Sequence, residues 1–434
     1  MHPTHRAYIL KASTIVGLAT CFYLYEFFLR VMPSVITVEL AQDFHISQTL
    51  LGQFIATFFY AYAIMQIPAG LLCDKYGPKY CLTVAISTCA IATFILQYTD
   101  SFIIASCARL AIGAVSACAF IGPLTLASRW FTSKYQALIA GCVQVMGCMG
   151  AIFAGQPIAL IVQTYSWRTS LYYTAWLGTL LAILFHLVLI DSPKMEDQKI
   201  IKKPLNIKNV LTQVIGNSQS WAVGVLAFGS WAAIAIFAES WGIPYLSKVQ
   251  NITTDQAAEQ AMWIWIAMAI ISPLAGYASN YFQNRKWPIM ILLSIGLVAS
   301  ILLISYPPQQ AWIISLLLFA VGCSSAAQPI TFGLVNDNNT QTSMATAIAF
   351  NNMALVSSAM TLQPLIGYIL DIYQGFQAEP TLLGYQIAFM CVPVSITISM
   401  IACLLWVKET HCQNIAKPME DLQENTETLQ TNTA

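Results

Sequence analysis

Twelve separate apolar runs, each long enough to cross a lipid bilayer as a helix, leave this chain little choice of solvent. About 20 such residues span the hydrocarbon layer. Inside that layer a backbone must satisfy its own hydrogen bonds, which a helix does. Length and helix breakers put the spans at roughly 9–35, 47–73, 80–98, 102–128, 136–163, 169–190, 219–246, 258–282, 287–306, 310–335, 342–370 and 384–407. Charged residues make up only 9% of the chain, against about 25% in a globular domain. The first run is too long for a signal segment and lacks an Ala-x-Ala site, so it is expected to remain as the first span. Formal net charge is zero, which offers nothing to nucleic acid. The 12 cysteines fall mostly inside apolar runs with no Cys-x-x-Cys, so they read as small buried hydrophobes and not as a disulfide or metal framework.

Charge sets an expected orientation. Fifteen of the 19 Lys and Arg residues fall on the side that carries both termini, only Arg168 and Lys248 fall on the other, and Arg30 and Arg109 lie within spans. Cytoplasmic loops collect such cations, so both termini are expected in the cytoplasm. The chain also repeats itself. AIGAVSA at Ala111 to Ala117 returns 209 residues later as AVGCSSA at Ala320 to Ala326, and Gln156-Pro157 returns 207 residues later as Gln363-Pro364. Pro68-Ala69-Gly70 is echoed by Pro273-Leu274-Ala275-Gly276. Six helices are therefore read as duplicated. Residues 1–190 and 219–407 form the two units, a Lys-rich cytoplasmic linker covers 191–218, and a disordered tail covers 408–434.

Between the second and third spans lies GLLCDKYGPK, Gly70 to Lys79. Gly70 would let a helix end approach a neighbour, and Gly77 would permit the reversal. Asp74 can cap a helix or pair with a cation, while Lys75 and Lys79 favour the cytoplasmic side. This loop resembles the Gly-x-x-x-Asp-Arg/Lys-x-Gly-x-Arg/Lys loop of the major facilitator superfamily of secondary transporters. Arg109 to Gly113 resembles that family's fourth-helix motif, Arg129-Trp130-Phe131 its junction between helices 4 and 5, and Trp167-Arg168 its way into helix 6. The second copy of the loop departs from the pattern, with Asn280 where Asp would stand, and helix 5 only partly matches the drug antiporter motif at Gly147, Gly150, Gly155 and Pro157. The resemblance implies an all-α membrane protein of 12 transmembrane helices in two pseudo-symmetric six-helix bundles. It also implies a latch of Gly70, Asp74, Lys75, Gly77, Lys79 and Arg129 as the bundles rock. Gly141, Gly147, Gly150, Ala347 and Ser357/Ser358 would give close, slidable helix contacts.

Ionisable groups inside a span cost about 3 kcal/mol or more, so each needs a reason. Glu26 and Arg30 stand at i and i+4 on one face of the first span, and Arg109 lies about 10 Å into the fourth. These three are expected to form one network, with Glu26 as a proton carrier and Arg109 and Arg30 as coupling or carboxylate-binding residues. The alternative is a static ion pair with Arg30 snorkelling to the interface. Glu239 near the end of the seventh span either carries a proton, binds a substrate amine, or faces outer water. Asp371 is expected to be an exposed cap. Tyr25, Tyr62, Gln144, Gln328, Asn351 and Asn352 are candidates to line a wet cavity, Gln144 and Asn351 at the repeat spacing.

Rival classes lack their signatures. There is no Gly-Lys dipeptide and so no Walker loop, and no His-Glu-x-x-His or Gly-x-Ser-x-Gly. Nothing asks for a cofactor or a metal, and the chain is not expected to be an enzyme. Tyr23 to Val35 and Phe59 to Lys79 resemble bacterial carriers near the lysosomal dipeptide transporter branch. That implies a monomeric, proton-coupled transporter of an amino acid, short peptide or organic anion in a bacterial inner membrane. A drug/proton antiporter is the alternative.

Overall fold

A computed structural model of the chain describes residues 3–131, 135–192, 207–340, 343–374 and 380–414. Among the described residues there are only helices and turns, and twelve helices are long and apolar enough to cross a membrane. The spans are Tyr8–Ser34, Gln48–Cys73, Pro78–Tyr98, Phe102–Trp130, Ile139–Thr164, Trp167–Val188, Ser218–Ala238, Thr254–Tyr281, Lys286–Ser305, Ala311–Asn338, Met344–Tyr373 and Leu382–Leu405. They are numbered 1 to 12 below. The side carrying the ends of spans 1 and 12 is called the terminal side, and its opposite the far side. Span ends carry ordinary helix punctuation. Ser47 caps span 2 by accepting from the Leu50 amide, Ser166 caps span 6 by accepting from Thr169, and Pro78 opens span 3 where no amide proton is needed.

The spans form two six-helix bundles whose internal partners repeat. Spans 1 and 5 pack as do 7 and 11, spans 2 and 4 as do 8 and 10, and spans 3 and 6 as do 9 and 12. The sequence repeat marks the reason. Gly113 on span 4 sits against the Phe58 carbonyl of span 2, where an added Cβ would lie 2.0 Å from the oxygen. Gly322, its counterpart on span 10, sits likewise against the Ile264 carbonyl of span 8 at 2.6 Å. Both spans then break at the same place, after Ser116 and after Ser325.

Between the bundles, spans 2 and 11 cross closely on the far side. Gly52 faces the Gln363 carbonyl and Gly367 faces the Gln48 carbonyl, so neither helix can carry a Cβ at the crossing. Asp371, near the end of span 11, accepts from the Gln48 and Thr49 amides at 3.1 and 2.8 Å and from the Thr49 hydroxyl at 2.6 Å. It is a cap, as expected, but a buried one reaching into the other bundle, because span 2 begins where span 11 ends. Gln163 on span 5 bonds Asp255 on span 8, and Gln156 bonds Glu259, again toward the far side.

Several expectations need correction. Span 7 ends at Ala238, not near 246, because a π-turn at Ile234–Ala238 breaks it before a separate helix, Gly242–Gln250. The linker region contains a helix, Ile207–Gly216; residues 193–206 lie outside the described residues. Lys408 to Asn414, read from composition as the start of a disordered tail, are docked on the terminal side. Glu409 accepts from the Arg285 and Lys286 amides at the start of span 9, and Thr410 bonds Asp337. The remainder, 415–434, lies outside the described residues. Gly70 and Gly141 face open space, so neither makes the close helix contact expected of it, whereas Gly147 and Gly150 press on Tyr23 and Leu24 of span 1.

Candidate functional site

Span 1 cannot stay regular past Arg30. Pro33 has no amide proton to give the Leu29 carbonyl four residues back, and a 3-10 turn, Met32–Ser34, follows. Arg109 of span 4 supplies the missing donor, its Nη1 reaching the Leu29 oxygen at 2.8 Å while Nη2 reaches the Ile55 oxygen at 3.4 Å. Arg109 thus ties spans 1, 2 and 4 together one residue from Arg30, and it is almost wholly buried.

Span 7 is broken at the matching depth. Its π-turn frees the Ala235 carbonyl, which accepts from Gln363 Nε2 at 3.1 Å and from the Ser240 hydroxyl at 2.8 Å. The next residue after the turn is Glu239. Arg30 Nη2 and Glu239 Oε1 meet at 2.8 Å, with side-chain exposures of 3% and 0%. These two residues are 209 apart, the spacing that relates Ala111 to Ala320, so the bond joins equivalent places on spans 1 and 7. Four rings surround the guanidinium: Phe27 and Phe59 at 4.9 Å, Tyr62 and Trp231 at 5.7 Å. Three come from the first bundle and Trp231 from the second. The faces of such rings attract a cation where water is absent.

Glu26 lies one turn from Arg30 on the same face. It is fully buried, and neither carboxyl oxygen has a hydrogen-bond partner. Arg30, Glu239 and Arg109 are the charges that act on it. The expected triad of Glu26, Arg30 and Arg109 is therefore redrawn. Arg30 pairs with Glu239 of the other bundle, Arg109 serves backbone carbonyls, and Glu26 stands beside both without a bond. Arg30 does not snorkel and Glu239 does not face water, since both are enclosed between the bundles. The partner was missed because Glu239 is remote in sequence. The shared offset of 209 was the signal that could have found it.

Of the neutral candidates, Tyr62 comes into hydrogen-bonding contact with Asn352 across the bundles and with Gln66 on its own span. Asn351 donates to the Thr331 hydroxyl at 3.1 Å inside the second bundle. Tyr25 points away from the cluster, its hydroxyl donating to the Thr174 carbonyl of span 6 at 3.1 Å. Gln144 and Gln328 are half-buried, the first bonded to Cys148 and the second at the restart of span 10. At the terminal side, the Lys79 amide donates to Asp191 at 2.7 Å, Arg129 lies 4.0 Å from the same carboxylate, and Gly77 leaves room for it. Lys75 is exposed beside the Tyr76 ring, and the Asp74 side chain lies outside the described residues.

The arrangement is a caged cation shared between two bundles, beside a carboxyl with no bond to hold it. It can exchange one carboxylate partner for another and can take up or release a proton. Comparison with known proteins agrees in kind. The profile of the Major Facilitator Superfamily matches residues 16–364. A probable chloroplastic anion transporter 2 of Oryza sativa subsp. japonica is 24% identical over 388 residues, 81% of this chain and 70% of that one. The galacturonate transporter of Dickeya chrysanthemi is 23% identical over 334 residues, 73% and 95% of the two chains. Among solved structures, a bacterial homologue of the human lysosomal transporter Spinster, in an inward-facing and unoccupied conformation, superposes with a TM-score of 0.75 at 16% identity, covering 91% of this chain and 96% of that one.

Proposed function

The chain belongs to the Major Facilitator Superfamily, and on that premise we propose that it is a proton-coupled carrier of small organic anions working by alternating access. Residues 1–190 and 219–407 move as the two bodies, joined by 191–218, as a monomer in a bacterial inner membrane with both termini in the cytoplasm. The latch around Gly77, Lys79, Arg129 and Asp191 acts on the cytoplasmic side.

The observation that carries this reading is the Arg30–Glu239 bond between the bundles. Opening the far side pulls spans 1 and 7 apart and would strand a buried guanidinium and a buried carboxylate. Breaking such a pair costs about 3–5 kcal/mol. A substrate carboxylate on Arg30 and a proton on Glu239 replace both lost partners at once. When the far side closes again, Glu239 loses its proton to water and returns to Arg30, and the anion is released toward the cytoplasm. One anion and one proton move together, and a closed, empty carrier carries neither back. Arg109 positions Arg30, and Glu26 is a second proton-binding group. The planar guanidinium matches a carboxylate, and relatives named for anions and galacturonate support that substrate class.

Uptake into proteoliposomes tests it. D-galacturonate, or another small hydroxylated acid, should accumulate when the interior is alkaline, and D-galactose should not. Accumulation only of lipophilic cations would contradict the reading.

A further inference from the structure

A cavity of about 510 Å³ lies between the bundles on the far side, apart from the ion pair. One wall is the segment from Val35 to Leu51, the other runs from Trp241 to Thr254, with Pro380 and Tyr385 closing one edge. Its size suits a small ligand, since such sites run from about 300 to 1,000 Å³. Thr37, Gln42, His45, Ser247 and Lys248 supply its polar lining around the Trp241 ring, and no Asp or Glu is among the described lining residues. The Ser247 hydroxyl oxygen is buried with no hydrogen-bond partner. Trp241 also fixes the floor: its ring nitrogen donates to the Gln363 carbonyl at 3.0 Å, and it stands two residues from Glu239. Val35 is five residues, or about 7 Å of helix rise, beyond Arg30.

We propose that this cavity is a second binding site, for a small hydroxylated carboxylate, and that filling it holds the far side shut. Lys248 and His45 take the carboxylate, the lining hydroxyl and amide groups take the ligand's hydroxyls, and Trp241 takes its apolar face. Each bundle provides one wall, so opening the far side divides the site. A ligand that binds only the closed arrangement stabilises that arrangement. The same anion that Arg30 transports therefore slows its own uptake at high concentration on the far side, and only there. The choice of ligand rests on the organic-anion reading above; the site itself does not.

Labelling of Lys248 in the wild-type protein tests the site without transport. The purified full-length chain is treated with an amine-reactive ester, and modification at each lysine is read by mass spectrometry. D-galacturonate should slow labelling of Lys248 several-fold while leaving the other lysines unchanged, and D-galactose should have no effect. No protection of Lys248, or equal protection by inorganic phosphate, overturns the proposal. In proteoliposomes, uptake should fall at high far-side galacturonate, and Lys248→Gln should remove the fall without lowering uptake at low concentration. An unchanged fall in that variant also overturns it. Protection of Lys248 without any proton-driven uptake would sink the transport reading and leave this site standing.

Discussion

At the scale of single residues, Arg30 and Glu409 show how a charge is kept where water cannot help it. Arg30 keeps its charge by one carboxylate and four ring faces. Lysine has the charge but neither the plane nor the fork. Arg30→Lys should raise the KM for an organic anion by about tenfold, equivalent to roughly 1.4 kcal/mol, measured as initial uptake. An unchanged KM would remove Arg30 from the binding step. Glu409 lies outside the spans and has a different solution. Burial pushes its carboxyl up, but backbone N–H donors from Arg285, Lys286, His411 and Thr410 outweigh burial and hold it below the ordinary carboxylate range. A group depressed in this way stabilises the fold above its unfolded pKa, and the contribution is lost as pH falls through the lower native value. Wild-type protein should therefore melt at higher temperature than Glu409→Gln near neutral pH. The gap should close as pH drops below about 4.3. A gap that persists in acid would assign the difference to packing instead. Glu409 itself was hidden in the sequence by a polar tail that looked disordered, since composition does not reveal that an acid will meet a helix N-terminus.

At the scale of elements, the helix ends carry the account. Gly77 turns the chain between spans 2 and 3 with φ +86° and ψ 146°, a conformation that other residues adopt at a cost of about 1–3 kcal/mol. Its would-be Cβ also lies 2.7 Å from the Asp191 carboxylate. Gly77→Ala should lower thermal stability by that order, whereas Gly70→Ala, facing open space, should be nearly neutral; equal effects would refute the distinction. The motif announced Gly77 correctly and misplaced Gly70, because a family pattern records residue types and not which of them meets a neighbour here. On the far side, Asp371 holds the start of span 2 through two amides and a hydroxyl. Hydrogen bonds to a charged group contribute about 1.5–3 kcal/mol. Asp371→Asn should therefore speed amide exchange at residues 48–52 by at least about tenfold, as the far side opens more often. Unchanged exchange would mean that the Gly52 and Gly367 crossing alone keeps it shut.

At the scale of the whole molecule, the sequence announces the twelve spans and the duplication because hydrophobic length and repeated glycines are local signals. Gly113 and Gly322 sit at the same seam of each bundle, as AIGAVSA and AVGCSSA implied. How one bundle docks on the other is not local. Nothing around Glu239 names Arg30 as its partner, and the π-turn that aims it has no residue signature. The docking matters most for function, since the single ion pair at equivalent positions makes opening depend on what replaces each partner. The decisive measurement is galacturonate transport by Glu239→Gln in proteoliposomes. Neutral glutamine needs no proton, so the variant should still exchange internal for external anion while losing accumulation driven by a pH gradient. Accumulation at the wild-type level, with one proton still moving per anion, would contradict the exchange of partners at Arg30.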